Sequence, residues 1–154
     1  MAKVPHIKEK IRSFVIQYPQ AEKFQEDQLS ILWFPKEIKL EKDIQDIKTN
    51  LSPGEYHGTI TTLKLFTHYE LAAGADYWAG RFMKMFTRPE LTSMASTFAT
   101  FELAIHKVFY NRINELLHIN TDEFYNSYAD DPTLSARMEF IEEIVNSKND
   151  LISL

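Results

Sequence analysis

The sequence predicts an all-α protein that forms a single helical domain over residues 1–154, and three observations support this. Glycine and proline are scarce, at 4 and 6 residues, and they fall between long periodic segments. Within those segments apolar residues recur every three or four positions, which is the period of an amphipathic helix. Helix-start signals precede several of the segments. The hydrophobic content of 44% is sufficient for one sizeable core.

The composition excludes several function classes. With 17 Lys and Arg against 22 Asp and Glu, the net charge is −5 and there is no basic run, so we expect no nucleic-acid partner. No stretch approaches the roughly 18 apolar residues of a membrane span, and the N-terminus lacks the apolar core of a signal peptide. The absence of Cys excludes disulfides, zinc-thiolate sites and thiol nucleophiles. We therefore expect a cytoplasmic protein with no membrane partner.

Local signals predict where the helices begin. After an N-terminal extension over residues 1–17, a first helix runs over about residues 20–32 and ends ahead of Pro35, because the residue before proline disfavours helix. A short helix follows near residues 41–51. Ser52, Pro53 and Glu55 then form a capping box that starts a long helix to about residue 86.

Similar local signals predict the helices in the second half of the chain. The segment Thr87-Arg88-Pro89-Glu90 should start a second long helix in a similar manner, ending near residue 117, so that the two long helices form a hairpin. A short capped helix begins near Thr121, and a last helix follows Pro132. We expect residues 146–154 to be frayed.

Polar residues share one face of the second long helix. Phe98, Glu102, His106 and Tyr110 are each four residues apart, so a carboxylate, an imidazole and a phenol lie along the same face. Their neighbours are strongly apolar, which predicts that Glu102 and His106 are partly buried. A buried carboxylate must be paired, protonated or bound to a metal.

Glu70 occupies an equivalent position on the first long helix. It interrupts an inward-facing apolar stripe of five residues: Ile60, Leu63, Phe66, Ala73 and Tyr77. If the helices pack antiparallel, Glu70 converges with Glu102 and His106. Two Glu and one His form half of the dinuclear site of ferritin-like bundles, and these donors suit iron or manganese. The alternatives are boundary carboxylates, a core histidine bonded to a backbone carbonyl, and an ordinary core tyrosine.

The sequence resembles the small, radical-generating subunit of class I ribonucleotide reductase over roughly residues 18–145. The resemblance rests on the segment QLSILWFPKEI at residues 28–38 and on Glu70 followed by AAGADYW at residues 72–78. It continues with PEL at residues 89–91, FATFE at residues 98–102 and IHKVFY at residues 105–110. The resemblance implies half of a ferritin-like helical bundle, namely the N-terminal half of the small-subunit fold.

The resemblance also implies a role for each matched residue. Glu70 matches the first metal ligand, and Glu102 and His106 match the ligand pair on the next helix. Tyr110 falls where the family places its radical tyrosine. Trp33 matches the tryptophan that relays an electron and a proton between the metal site and the large subunit.

The implied activity is the reduction of ribonucleotides to deoxyribonucleotides for DNA replication, by an oxidoreductase that is active only as a complex. In this family two metals, typically iron with manganese possible, activate dioxygen and oxidise the tyrosine. The oxidising equivalent then travels to a cysteine in the large catalytic subunit. The expected partners are therefore that large subunit and whatever completes the metal site, and we expect an oligomer.

Two departures from the family pattern matter. The family usually places Glu and His three residues apart, whereas Glu102 and His106 are four apart and Leu103 stands three before His106. Either a local bulge in the helix preserves the pair, or Leu103 takes the ligand position and degrades the site. The sequence also matches only the half of the family that supplies three ligands, so the remaining ligands and a share of both metals must come from elsewhere.

Several completions and functions remain open at this stage. A second small-subunit chain could supply the missing helices, as in a split subunit, or two copies of this chain could pair; we favour the second chain. A non-catalytic helical interaction protein predicts no metal at all. A homodimeric ferritin-like di-iron oxidase or storage protein predicts a complete metal site in the pure chain.

Overall fold

The computed structural model describes residues 6–148, and within that range the chain is all-α with no β-strand, as the sequence predicts. Two long helices, α3 and α4, each contain a central π-helical segment, and four shorter helices pack around them. The six helices are α1 (Pro19–Ser30), α2 (Glu41–Thr49), α3 (Pro53–Leu71, Ala72–Phe82 and Met83–Met85), α4 (Pro89–Thr100, Phe101–His106 and Lys107–Leu116), α5 (Asp122–Asn126) and α6 (Pro132–Asn146). Three short 3₁₀ helices lie at His6–Lys8, Pro35–Glu37 and Ser127–Asp130.

The helix starts follow local side-chain chemistry. The Ser52 backbone N–H donates to Glu55 Oε2 at 2.8 Å, and the Glu55 N–H donates to Ser52 Oγ at 3.4 Å, so the expected capping box is confirmed. Thr121 caps α5 through the Phe124 N–H, and Asp131 caps α6. At the C-terminus, α6 ends at Asn146, and residues 149–154 of the expected frayed end lie outside the described residues.

The expectation that α4 starts in the same manner as α3 is wrong. Arg88 is the residue before α4 and makes no side-chain cap, although Pro89 does occupy the first turn. Thr87 Oγ1 donates instead to the backbone oxygen of Lys8 at 3.1 Å, and Glu90 pairs with Arg88. The reason is tertiary, since the chain segment that precedes α1 covers this helix end and takes up its polar groups.

Helices α3 and α4 run antiparallel, because the first segment of each packs against the last segment of the other. Two apolar clusters lie at the ends of this hairpin. The first is built on α1, α3 and α4 by Ala21, Phe86, Leu91 and Met94, with Trp78, Phe82 and Phe98 packed against them. The second is built on α2 and α4 by Leu40, Ile44, Ile113 and Leu117, with Ile60, Leu63 and Phe109 packed against them. The π-helical segments of α3 and α4 contact each other between the two clusters.

The predicted inward stripe of α3 is only partly buried. Ile60 and Leu63 pack against the second cluster, as expected. Phe66 is wrong as a core position, because 41% of it is exposed and its ring contacts only the edge of the bundle at Tyr110, 5.3 Å between centroids. None of the described helices covers this side of α3. No helix among the described residues is long and apolar enough to cross a membrane.

A buried ion pair fastens residues 6–18, which we call the N-terminal strap, to the start of α4. Arg88 and Glu90 are 1% and 3% exposed, and Arg88 Nε donates to Glu90 Oε1 at 2.9 Å. The backbone N–H of Gln17 donates to the same carboxylate oxygen at 3.1 Å, and Arg88 Nη2 donates to the Val15 backbone oxygen at 3.3 Å. The pair therefore bonds polar groups of the strap and balances its own charges, while Glu90 Oε2 is buried without a hydrogen-bond partner.

The pKa of Glu90 follows from these contacts. Burial by itself would raise it, but hydrogen bonds from Arg88 and from backbone N–H groups, together with the guanidinium charge, hold the pKa of Glu90 below its ordinary value of 4.5. A carboxyl group whose pKa is lowered by folding stabilises the fold above the unfolded pKa. That stabilisation is lost as the pH falls through the folded pKa.

We predict that Glu90→Gln lowers the free energy of unfolding by about 3–5 kcal/mol at neutral pH, because it leaves Arg88 buried without a counter-charge. Urea denaturation at about pH 7 and about pH 3.5 should show the difference from wild type shrinking at the lower pH, because the unfolded wild-type chain takes up a proton below its ordinary carboxyl pKa and part of the stabilisation by charged Glu90 is lost. The exposed Glu26 of α1 provides the control, since Glu26→Gln should have little effect at either pH. A Glu90→Gln effect of the same size at both pH values would contradict this account.

Candidate metal centre

Three candidate ligands meet where the π-helical segment of α4 faces α3. Glu70 lies near the end of the Pro53–Leu71 segment, and Glu102 and His106 belong to the Phe101–His106 segment. One ligand atom from each lies within 4.8 Å of the others. His106 Nδ1 is 2.9 Å from Glu102 Oε2 and 3.6 Å from Glu70 Oε2. The antiparallel hairpin thus brings together the three residues that the sequence predicted to converge.

The three side chains are partly shielded from water. Their exposed fractions are 14% for Glu70, 20% for Glu102 and 30% for His106. Burial, followed by the hydrogen bond to Glu102 and the negative charge of Glu102, together raise the pKa of Glu70 to about 8. At neutral pH a proton therefore relieves the repulsion between the two carboxylates, and a cation placed between them would do the same.

The donor set fits a hard or borderline metal ion. Two carboxylates and one imidazole suit iron or manganese, and a chain without Cys offers no thiolate donor. Among residues 6–148 these are the only three Asp, Glu, His or Cys side chains that lie close enough together to share an ion. Glu70, Glu102 and His106 would hold it, with the Nδ1 atom of His106 turned toward both carboxylates.

The spacing of Glu102 and His106 is accommodated by the local geometry of α4. Residues Phe101–His106 are π-helical, and a π turn holds one more residue than an α turn. Residues four apart share a helix face, and within this segment Glu102 and His106 are directly hydrogen-bonded. Leu103 does not occupy a ligand position, because its side chain lies against Gly74 of α3. The structure matches the local bulge that the sequence left as one of two possibilities.

Trp33 contacts this centre from the segment between α1 and α2. Its ring stacks on His106, with 6.2 Å between centroids and an angle of 26°, and it meets the edge of Phe109 at 5.2 Å. Arg112 holds this segment in place, since its Nη1 atom donates to the backbone oxygen of Pro35 at 2.5 Å. A second bond from the same atom reaches the oxygen of Ile38 at 3.3 Å. The indole is thereby fixed beside a candidate ligand.

Tyr110 lies one turn beyond His106 and is also half-buried. Its ring packs on Phe66 at 5.3 Å and lies 5.9 Å from that of Phe109. Burial raises the pKa of the Tyr110 phenol, and the charges of Glu70 and Glu102 raise it further. At neutral pH the phenol therefore keeps its proton, so that loss of an electron from it must be accompanied by loss of that proton.

Comparison with known families decides the assignment. The sequence model of the family "Ribonucleotide reductase, small chain" matches residues 10–153. The chain belongs to this family. No curated protein matches the chain. The family match confirms the resemblance found in the sequence, and together with the helical architecture it identifies the fold as the all-α, ferritin-like fold of the ribonucleotide reductase small chain.

Family membership gives the centre a context. Ribonucleotide reductase small chains take part in oxidoreductase chemistry, generally bind two metals, oligomerise and associate with a large subunit. The carboxylate and histidine group found here agrees with that metal-binding character. In this small chain the described residues bring three donors to the site, from two neighbouring helices.

Three contributors to the centre were not predicted from the sequence. Gly74 and Leu103 make the closest contact between α3 and α4, and Arg112 anchors the segment that carries Trp33. Gly74 follows Glu70 by one helical turn and stands next to the stripe residue Ala73. A glycine at this position was the one signal in the sequence of close helix packing. Neither Leu103 nor Arg112 carried any comparable signal, because an apolar residue and an arginine are ordinary on an amphipathic helix.

Proposed function

We propose that this chain provides half of the dimetal site and the radical tyrosine of a class I ribonucleotide reductase small subunit, and that a second chain completes the site. The observation that carries the proposal is the convergence of Glu70, Glu102 and His106 beside Tyr110 and Trp33. The resemblance to the family assigns a role to each of these five residues. The product of the complete enzyme would be deoxyribonucleotides for DNA replication.

Glu70, Glu102 and His106 would hold one side of a pair of iron ions, with manganese as the other metal that these donors suit. When bound, the metals supply the oxidising power, drawn from dioxygen, that removes one electron from Tyr110. Tyr110 gives up that electron together with its phenolic proton and becomes a neutral radical. Phe66 and Phe109 pack around its ring and limit the access of water that would quench the radical.

Trp33 connects this centre to the outside of the bundle. Its stacking on His106 places an easily oxidised indole against a candidate ligand, while the neighbouring Leu32 and Phe34 are 42% and 45% exposed. In the proposed function Trp33 passes an electron and a proton between the centre and the large subunit, whose cysteine carries out the reduction. The hydrogen bonds of Arg112 to Pro35 and Ile38 keep the relay residue in place.

Completion by a second chain is supported by the one-sided arrangement of donors. A ferritin-like site uses four carboxylates and two histidines, and half of that set is found among the described residues. Phe66 of α3, which packs beside Tyr110, is 41% exposed. Further helices packed on this side would bring the remaining ligands and cover this residue at the same time.

We predict that the natively purified assembly contains iron or manganese and that Glu70→Ala or His106→Ala abolishes metal uptake, because each removes one of three ligands on this side. Metal analysis and anaerobic titration with Fe(II) measure the stoichiometry, and mass spectrometry identifies any second chain. Glu139→Ala, on the exposed face of α6, is the control and should bind metal like wild type.

Three results would reject parts of this proposal. Unchanged metal stoichiometry in both variants would refute the ligand assignment. A full metal site in a homodimer of this chain would reject completion by a second chain and would indicate a ferritin-like oxidase or storage protein instead. An assembly that stays free of metal with its partner present would leave a non-catalytic interaction protein.

We predict that Tyr110→Phe removes the radical while metal content and helix content stay the same, because phenylalanine keeps the ring packing but has no phenolic O–H to oxidise. Electron paramagnetic resonance after exposure of the reduced assembly to dioxygen measures the signal. Tyr56→Phe at the exposed start of α3 is the matched control. A radical that persists in Tyr110→Phe would have to reside on another tyrosine or on the metals.

We predict that Trp33→Phe forms the Tyr110 radical normally but abolishes turnover, because phenylalanine is too difficult to oxidise to act as a relay. Radical yield and deoxyribonucleotide formation with the large subunit are measured on the same preparation. Trp78→Phe tests the other tryptophan, which packs in the first apolar cluster away from the candidate ligands. Normal turnover in Trp33→Phe would exclude the relay role.

A further inference from the structure

The closest approach of α3 and α4 lies directly beside the candidate ligands. A Cβ atom added to Gly74 would stand 2.6 Å from Leu103 Cγ, 2.9 Å from Leu103 Cδ2 and 3.0 Å from Glu102 Cβ. Separations under 3.0 Å are not tolerated between such atoms, so no side chain fits at position 74 in this arrangement. Gly74 is fully buried and its contact atoms belong to a ligand residue and to the residue after it.

The glycine is needed for space rather than for backbone freedom. None of the described glycines has a positive φ, and Gly74 lies inside the π-helical segment Ala72–Phe82. A glycine in a helix interior costs stability relative to alanine, by roughly 0.5–1 kcal/mol. Gly74 is therefore explained by the space it leaves, because the Leu103 side chain and the Glu102 Cβ atom approach its backbone closely.

The same contact bears on the π turn of α4. A π turn is rare and is retained where the surrounding structure supports it. Leu103 is the residue that the turn directs onto the bare backbone of Gly74, while Glu102, immediately before it, turns its Oε2 atom to His106 Nδ1 at 2.9 Å. Because Leu103 and Glu102 rest on the same glycine, displacement of the leucine also displaces the ligand.

We propose that Gly74 and Leu103 are a size-matched pair of positioning residues that holds the π turn of α4 in register and thereby directs the Glu102 carboxylate toward His106. The inference rests on the proposed metal function for its purpose, but the positioning itself is a property of the metal-free chain. Neither residue touches the metal. Each acts through Glu102.

The test compares Gly74→Ala, Leu103→Ala and the double variant in the natively purified assembly. Gly74→Ala introduces the clash, and Leu103→Ala in the same chain removes both atoms that lie under 3.0 Å from the added Cβ, so the double variant should recover most of what the single variant loses. Gly58→Ala is the matched control, because Gly58 is also helical but has no atom within 4 Å of the added Cβ.

Two readouts separate positioning from mere loss of stability. In the metal-free assembly, ¹⁵N NMR of labelled histidine reports the hydrogen bond of His106 Nδ1, which should shift in Gly74→Ala and return in the double variant. Anaerobic titration with Co(II) should show a loss of affinity of about 10-fold to 100-fold in Gly74→Ala, the range found when groups that orient a ligand are altered. The double variant should recover most of that loss.

The possible results are distinguishable. An unchanged His106 resonance and Co(II) affinity in Gly74→Ala, with only a lower melting temperature, would overturn the positioning role. If Gly74→Ala does not fold but the double variant does, the size match is supported. If neither Gly74→Ala nor the double variant folds, and Leu103→Ala gives wild-type signals, the size match is overturned. If wild type binds no Co(II), the proposed function fails. The His106 resonance then tests the positioning role of Gly74 and Leu103 by itself.

Discussion

The close contact of two π-helical segments, one in α3 and one in α4, is the constraint on which the remaining structure depends. One apolar cluster lies on each side of this contact and packs the part of each long helix that extends beyond it. Between them, Gly74 allows the backbones to approach more closely than ordinary side chains permit. Glu70, Glu102 and His106 are thereby held together within the hairpin.

Placing Glu70 and Glu102 together is unfavourable for the isolated chain. Burial disfavours the charged form of Glu70 and the neighbouring Glu102 adds repulsion, so the pKa of Glu70 rises and a proton is retained between the two carboxylates. A fold selected for stability alone would place apolar residues at these positions. Ribonucleotide reductase small chains generally bind metals, and a carboxylate pair that repels in the absence of a cation agrees with that character.

The sequence predicted the elements that depend on local chemistry. The capping box at Ser52 and the cap at Thr121 need only neighbouring residues, and both occur in the structure. The convergence of Glu70 with His106 followed from helical periodicity and one assumption about antiparallel packing. These features are accessible because each depends on spacings of three or four residues.

Features that depend on distant parts of the chain were missed. Phe66 shares the period of the core but is half-exposed, because periodicity shows which residues share a face and not what covers that face. The π turn adds a residue to the period, so the contact between Leu103 and Gly74 is invisible to a pattern based on α-helical turns. The family resemblance pointed to Trp33. Arg112 was missed because its bond to the Pro35 backbone oxygen joins residues that are 77 positions apart in the sequence.

The N-terminal strap has a consequence for the order in which the chain folds. Its bonds to Glu90 and Arg88 each span 73 residues, from Gln17 and from Val15, so closing them early would cost much loop entropy. The α3–α4 hairpin, whose contacts are nearer in sequence, therefore forms first, and the strap docks onto an existing helix end. Until it docks, the Arg88 and Glu90 charges stay hydrated. Arrival of the strap excludes that water, and it is the step that completes the native state at this end of the bundle.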